Sequence, residues 1–212
     1  MPANIKMEEG MRRFASAVFY PIGRVLGRFL TPNMLTSLSV FASGGVCALF
    51  ALGYFTWGGW MMLLAGVFDI WDGQVAKLTN RVSVFGAFFD SSADRVNDFL
   101  YSIGAAYYFA AHGYLDVMVW ALIYLGLSQL ISYVKARAES LGFDCSVGFL
   151  ARGLRMVLFG IPLFIYGVRK SPNMIWVVRG GLWLVGLLAG MTLVHRVLHV
   201  WMQARRAETG SV

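Results

Sequence analysis

Charge is scarce in this 212-residue sequence: Asp, Glu, Lys and Arg together make up 14% of it, against 58% apolar residues. Soluble globular domains carry about 25% charged residues, so an ordinary soluble fold is excluded. Cysteine is nearly absent as well. Cys47 and Cys145 stand alone, without the paired spacing of a metal or redox site, and no chemistry is assigned to them. There is no continuous basic tract: the net charge of +7 comes from residues such as Arg12, Arg13, Arg24, Arg28, Arg205 and Arg206 that flank apolar runs. That distribution argues against nucleic acid and for membrane headgroups and anionic substrates. No internal repeat, low-complexity tract or cleavable signal is evident. The N-terminus is expected to stay in the cytoplasm.

What the sequence does have is long apolar runs, at about 34–55, 58–77, 86–111, 115–139, 153–169 and 173–202. Each is long enough to cross a bilayer. The expected fold is an all-α polytopic membrane protein of six transmembrane helices, preceded by an N-terminal interfacial helix over 10–30, in which arginines alternate with Phe14, Val18, Phe19 and Ile22. A single membrane domain accounts for residues 1–212, with the six-helix part at 31–202 and a cytoplasmic tail at 203–212. Lys77, Arg81, Lys135, Arg137, Arg152 and Arg155 follow spans two and four, whereas Gly53 to Trp60 and His112 to Val117 contain no Lys or Arg. The basic connections and both termini should therefore face the cytoplasm; Arg169, Lys170 and Arg179 run against this rule. The pairs Gly44-Gly45, Gly58-Gly59 and Gly180-Gly181 are expected to serve helix packing.

Five of the eleven acidic residues crowd between Asp69 and Asp98. Carboxylates in such an apolar setting are costly unless a cation balances them. Asp69 and Asp72 lie three apart at the end of span two, and Asp90 and Asp94 four apart at the start of span three, so each pair occupies one helix face. The short connection brings the pairs together. Four oxygen donors with no His or Cys set favour Mg2+ or Mn2+, and suffice for two ions, an arrangement suited to phosphoryl chemistry. Gly73 and Ala76 between them would let a diphosphate approach the helix backbone. His195 and His199 are also four apart, but with no acidic third ligand nearby they are read as interfacial or packing residues.

The run Asp69-x2-Asp72-Gly73-x2-Ala76-Lys77-x8-Gly86-x3-Asp90-x3-Asp94 resembles the CDP-alcohol phosphatidyltransferase signature D-x2-D-G-x2-A-R-x8-G-x3-D-x3-D. Only Lys77 departs from it, keeping the charge but losing the planar fork of arginine. Thr31-Pro32-Asn33 and Thr36 resemble the start of the family's first span, which contributes to its nucleotide pocket. Ser132 to Glu139 is similar to bacterial members with phosphorylated acceptors, the phosphatidylglycerophosphate and phosphatidylinositol phosphate synthases. Where those members often carry Glu-Arg-Pro-Glu-Arg, this chain has Ala151-Arg152-Gly153-Leu154-Arg155.

The resemblance implies transfer of a phosphatidyl group from CDP-diacylglycerol to a polar alcohol, glycerol 3-phosphate or inositol phosphate, with release of CMP. It implies Asp69, Asp72 and Asp90 as metal ligands, and Asp94 as the base and a further metal contact. Thr31, Pro32, Asn33, Gly73, Ala76, Lys77 and Gly86 fall to the nucleotide and diphosphate, and Lys135, Arg152 and Arg155 to the acceptor phosphate. Asp98 is expected to pair with a neighbour such as Arg95. A homodimer in a bacterial cytoplasmic membrane, with the active site facing the cytoplasm, completes the expectation. Two other readings are open at this point: transfer of a headgroup from a soluble CDP-alcohol, and a divalent-cation transporter using the same acids.

Overall fold

The computed structural model describes residue 23 and residues 25–148, 150–169 and 171–209. Most of the expected interfacial helix over 10–30 lies outside the described residues. Six long helices follow: α1 Pro32–Ala51, α2 Phe55–Leu78, α3 Val84–Ala111, α4 Leu115–Ser140, α5 Arg152–Arg169 and α6 Ile175–Thr209. Their bounds fall within a few residues of the apolar runs, except that α6 continues into the expected tail. By length and composition α1, α4 and α6 could cross a membrane. At 1.5 Å per residue the 35 residues of α6 extend about 52 Å, well beyond a hydrocarbon core of about 30 Å.

The chain divides into two compact units. The first holds α1 up to Ser43, α2 from Leu63 and α3 up to Asn97. Its helix ends are fixed by local chemistry. Thr31 caps α1, its hydroxyl accepting the Met34 amide at 3.3 Å, and Pro32 takes the first helical position, where a missing N–H costs nothing. Past the end of α2, Asn80 adopts a left-handed conformation with φ 53°, and the Arg81 amide donates back to the Ala76 carbonyl at 2.9 Å. Ser83 then caps α3 by accepting the Gly86 amide at 3.0 Å. Inside this unit Asn97 donates to Ser39 at 2.8 Å, tying α3 to α1.

The second unit comprises Gly44–Met62 and everything from Asp98 onward. Rings of Phe50, Phe55, Tyr108, Phe109 and Tyr166 cluster at one end, and Tyr124 stacks on Phe159 at 4.5 Å. Of the glycine pairs, Gly45 faces Met61, Gly58 faces Phe50, Gly59 faces Phe164 and Gly181 faces Pro162, while Gly44 and Gly180 have no described residue within 4 Å of an added Cβ. Close backbone approaches are elsewhere, among them Gly104, where an added Cβ would lie 2.5 Å from the Cys47 carbonyl oxygen. Backbone cannot swing aside as a side chain can, so Gly104→Ala should force α1 and α3 apart at a cost of about 1–3 kcal/mol. Thermal unfolding in detergent should show a clear drop; an unchanged midpoint would mean the contact is not formed.

Long-range polar ties finish this unit. Arg179 forks onto Asp116 at 2.6 and 3.1 Å, which accounts for a cation that the charge rule alone leaves unexplained. Buried Arg196 donates to the carbonyls of Ile131 and Val147, each at 2.9 Å. Gln203 and Asp144 exchange bonds at 3.1 and 2.6 Å, fastening the connection between α4 and α5 to α6. In that connection Ser146 donates twice to the Asp144 carboxylate and holds its pKa below the usual value.

Candidate metal centre and substrate cleft

The end of α2 and the start of α3 turn their acids toward one another. Asp69, Asp90 and Asp94, all half-buried, each present a carboxylate oxygen such that the three lie within 4.8 Å of one another. At an effective dielectric of about 20, two unit charges at that distance repel by roughly 3 kcal/mol, so three together favour a cation between them. Hard oxygen donors with no His or Cys in the group suit Mg2+ or Mn2+. The residues present therefore fit the metal that the sequence pattern implies.

Asp72, the fourth acid, occupies a different position. It is buried, 4% exposed, and accepts a 2.6 Å hydrogen bond from Thr36 on α1, while Asp69 and Asp90 act on it as like charges. Thr36, read from the sequence only as part of a nucleotide pocket, thus serves as the donor that makes a buried carboxylate tolerable. The sequence spacing could not separate Asp72 from the other three, because that depends on how α2 is rotated against α1.

Beside the acids lies an open cleft of about 180 Å3, lined by Asp72 and Asp90 together with Pro32, Asn33 and Thr36 from α1. Gly73, Ala76 and Lys77 form its α2 wall and Gly86 its α3 wall, and Arg81 lines it from the connection between them. No described residue lies within 4 Å of where a Gly73 side chain would begin, so packing among the described helices does not explain this glycine. Gly86 is tight against Ser83, the residue that caps α3. Thr31 is not among the residues lining the cleft; its hydroxyl is occupied at the helix cap.

The expected acceptor residues belong to the second unit. Arg155 is buried, 2% exposed, and donates to the Leu150 carbonyl at 3.1 Å, while its Nε has no hydrogen-bond partner among the described residues. Arg152 lies 3.8 Å from buried Asp98, whose other oxygen accepts from Ser128 at 2.7 Å. Sequence spacing offered Arg95 as the partner for Asp98; these two contacts come instead from 30 and 54 residues further along. Arg95 donates to the Ser91 carbonyl on its own helix. Lys135 is exposed and lies 3.7 Å from Glu139 on its own helix.

Helices able to cross a bilayer, and convergent carboxylates beside an open cleft, define the class: an integral membrane protein with a hard-cation site. Comparison with known proteins makes this specific. The family model described as CDP-alcohol phosphatidyltransferase matches residues 29–202, and the chain belongs to that family. It is 36% identical over 186 residues to the phosphatidylinositol phosphate synthase of Mycobacterium tuberculosis, covering 85% of this chain and 84% of that one. It is 27% identical over 199 residues to the archaetidylinositol phosphate synthase of Methanothermobacter thermautotrophicus, covering 93% and 97%. A crystal structure of the mycobacterial synthase with CDP-DAG bound superimposes with a TM-score of 0.78 at 32% identity, covering 87% of this chain and 94% of that one. Another crystal structure of that synthase, in complex with manganese and citrate, gives 0.78 at 31% identity, covering 86% and 88%. The protein is a metal-dependent CDP-alcohol phosphatidyltransferase, a membrane transferase of phospholipid biosynthesis that uses Mg2+ or Mn2+.

Proposed function

We propose that this enzyme transfers the phosphatidyl group of CDP-diacylglycerol to an inositol phosphate, releasing CMP. The observation that carries the reading is the meeting of Asp69, Asp90 and Asp94 beside a cleft that Gly73 leaves open. The acceptor hydroxyl attacks the phosphorus next to the diacylglycerol, the bond from that phosphorus to the CMP oxygen breaks, and CMP departs. The carboxylate of Asp94 takes the hydroxyl proton. Asp69, Asp72 and Asp90, with Asp94 alongside, would hold one or two divalent ions, which neutralise the diphosphate and the charge on the leaving group. Pro32, Asn33, Ala76, Lys77 and Gly86 accommodate the nucleotide and diphosphate, and Thr31 keeps Pro32 and Asn33 in place through its cap.

For the acceptor phosphate we assign Arg152 and Arg155, joined by Lys135. Buried Arg155 and half-buried Arg152 lie with one carboxylate, Asp98, among the described residues, and such an excess of positive charge favours an anionic ligand. The names of the curated relatives support inositol phosphate over glycerol 3-phosphate. All six helices are proposed to cross the membrane, as one domain, with the cleft and both termini on the cytoplasmic side and two copies forming a homodimer.

The test is CMP release by the purified enzyme from CDP-diacylglycerol and Mn2+, with inositol phosphate, glycerol 3-phosphate, inositol or serine as acceptor. Inositol phosphate should give the highest kcat/KM, and Arg155→Ala should raise its KM about tenfold or more, as expected when a charge-assisted contact is lost. Equal or better use of glycerol 3-phosphate would overturn the acceptor. No CMP with any acceptor would overturn the donor.

A further inference from the structure

One cation in the cleft has no counterpart in the signature that this sequence matches. The signature places arginine after Ala76, where this chain has Lys77. A lysine offers a diphosphate a point charge in place of a two-pronged planar donor. Four residues further on, Arg81 lines the same cleft. Its position follows from the way α2 ends: Asn80 turns left-handed, and the Arg81 amide closes onto the Ala76 carbonyl at 2.9 Å, which brings residue 81 back alongside the last turn of the helix. Both Lys77 and Arg81 are exposed. Neither side chain makes an ion pair or hydrogen bond with another described residue, although Asp72 and Asp90 line the cleft with them. Two cations left available beside carboxylates that would themselves hold metal are placed to meet a ligand of several negative charges.

We propose that Arg81 is a substrate-binding residue that grips the diphosphate of the CDP-linked donor and supplies the fork that Lys77 lacks. The assignment rests on the donor reading given above. It does not depend on which alcohol is the acceptor. A purely topological role, holding a cytoplasmic span end by its charge, makes a different prediction: it would be insensitive to nucleotide and satisfied by any cation at either position.

The probe is CDP, titrated in the presence of Mn2+ into the full-length protein in detergent and followed by calorimetry. Arg81→Ala should weaken CDP binding about 10–100-fold, the range for a lost charge-assisted contact, without lowering the unfolding midpoint. Arg81→Lys should retain only part of the affinity. Combining Lys77→Arg with Arg81→Ala should restore CDP binding to within about threefold of the parent, because the fork is returned one turn away. CDP binding by Arg81→Ala within twofold of the parent would overturn the proposal, as would a double variant no better than Arg81→Ala alone. Failure of the unsubstituted protein to bind CDP at all would overturn both this assignment and the donor. Loss of CDP binding in Arg81→Ala, in an enzyme that turns out to prefer another acceptor, would leave Arg81 in place and remove only the inositol phosphate reading.

Discussion

Asp90→Asn should reduce CMP release to background and, in the same preparation, strip the protein of tightly held Mn2+. Asn preserves the volume and one carbonyl oxygen of Asp but removes the negative charge that a hard cation requires. Losing an outer partner of a metal ligand typically costs 10–100-fold in affinity or activity, so losing one of three converging carboxylates should cost more than about 100-fold. Electron paramagnetic resonance of Mn2+ measures the binding arm directly. The mutual repulsion of Asp69, Asp90 and Asp94 also falls with the charge, so the metal-free variant should unfold at the same or a higher temperature than the metal-free parent. Inactive protein with greater resistance to heat would separate a catalytic role from a merely structural one. Activity within a few-fold of the parent would remove Asp90 from the site.

The second large effect is expected at Gly73. A glycine inside a helix costs about 1 kcal/mol relative to alanine, and here no described residue occupies the space that a side chain would enter. Gly73→Ala should therefore stabilise the protein slightly and leave room in the cleft. Gly73→Leu should fold equally well yet lose at least about 100-fold in kcat/KM for CDP-diacylglycerol, because its branched side chain projects where the substrate must lie against the α2 backbone. Steady-state CMP release and thermal unfolding of both variants would check this. A fully active Gly73→Leu enzyme would show that the diphosphate does not pass this wall.

Much of this was legible in the sequence, because helices convert spacing into geometry. The apolar runs anticipated all six helices, and the intervals from Asp69 to Asp94 anticipated carboxylates on facing helix surfaces. Illegible were the features decided by rotation and by distant partners. Thr36 supports Asp72 across 36 residues, and Arg196 reaches carbonyls 49 and 65 residues away; no local pattern announces such bonds. Arg179 looked anomalous for the same reason, its carboxylate partner Asp116 being 63 residues distant. Thr31 shows the reverse difficulty: a residue shared with a nucleotide-pocket pattern also caps a helix, and the pattern alone does not announce that second task.

The link between α2 and α3 is short and is stitched at both ends, by the amide of Arg81 on one side and the hydroxyl of Ser83 on the other. Such a link is tied to the helix on each side and has little slack of its own. On the donor reading proposed above, a lipid-linked nucleotide would enter and leave alongside this link and not beneath it. Even a single inserted residue there should disturb catalysis more than insertions of several residues elsewhere on the surface.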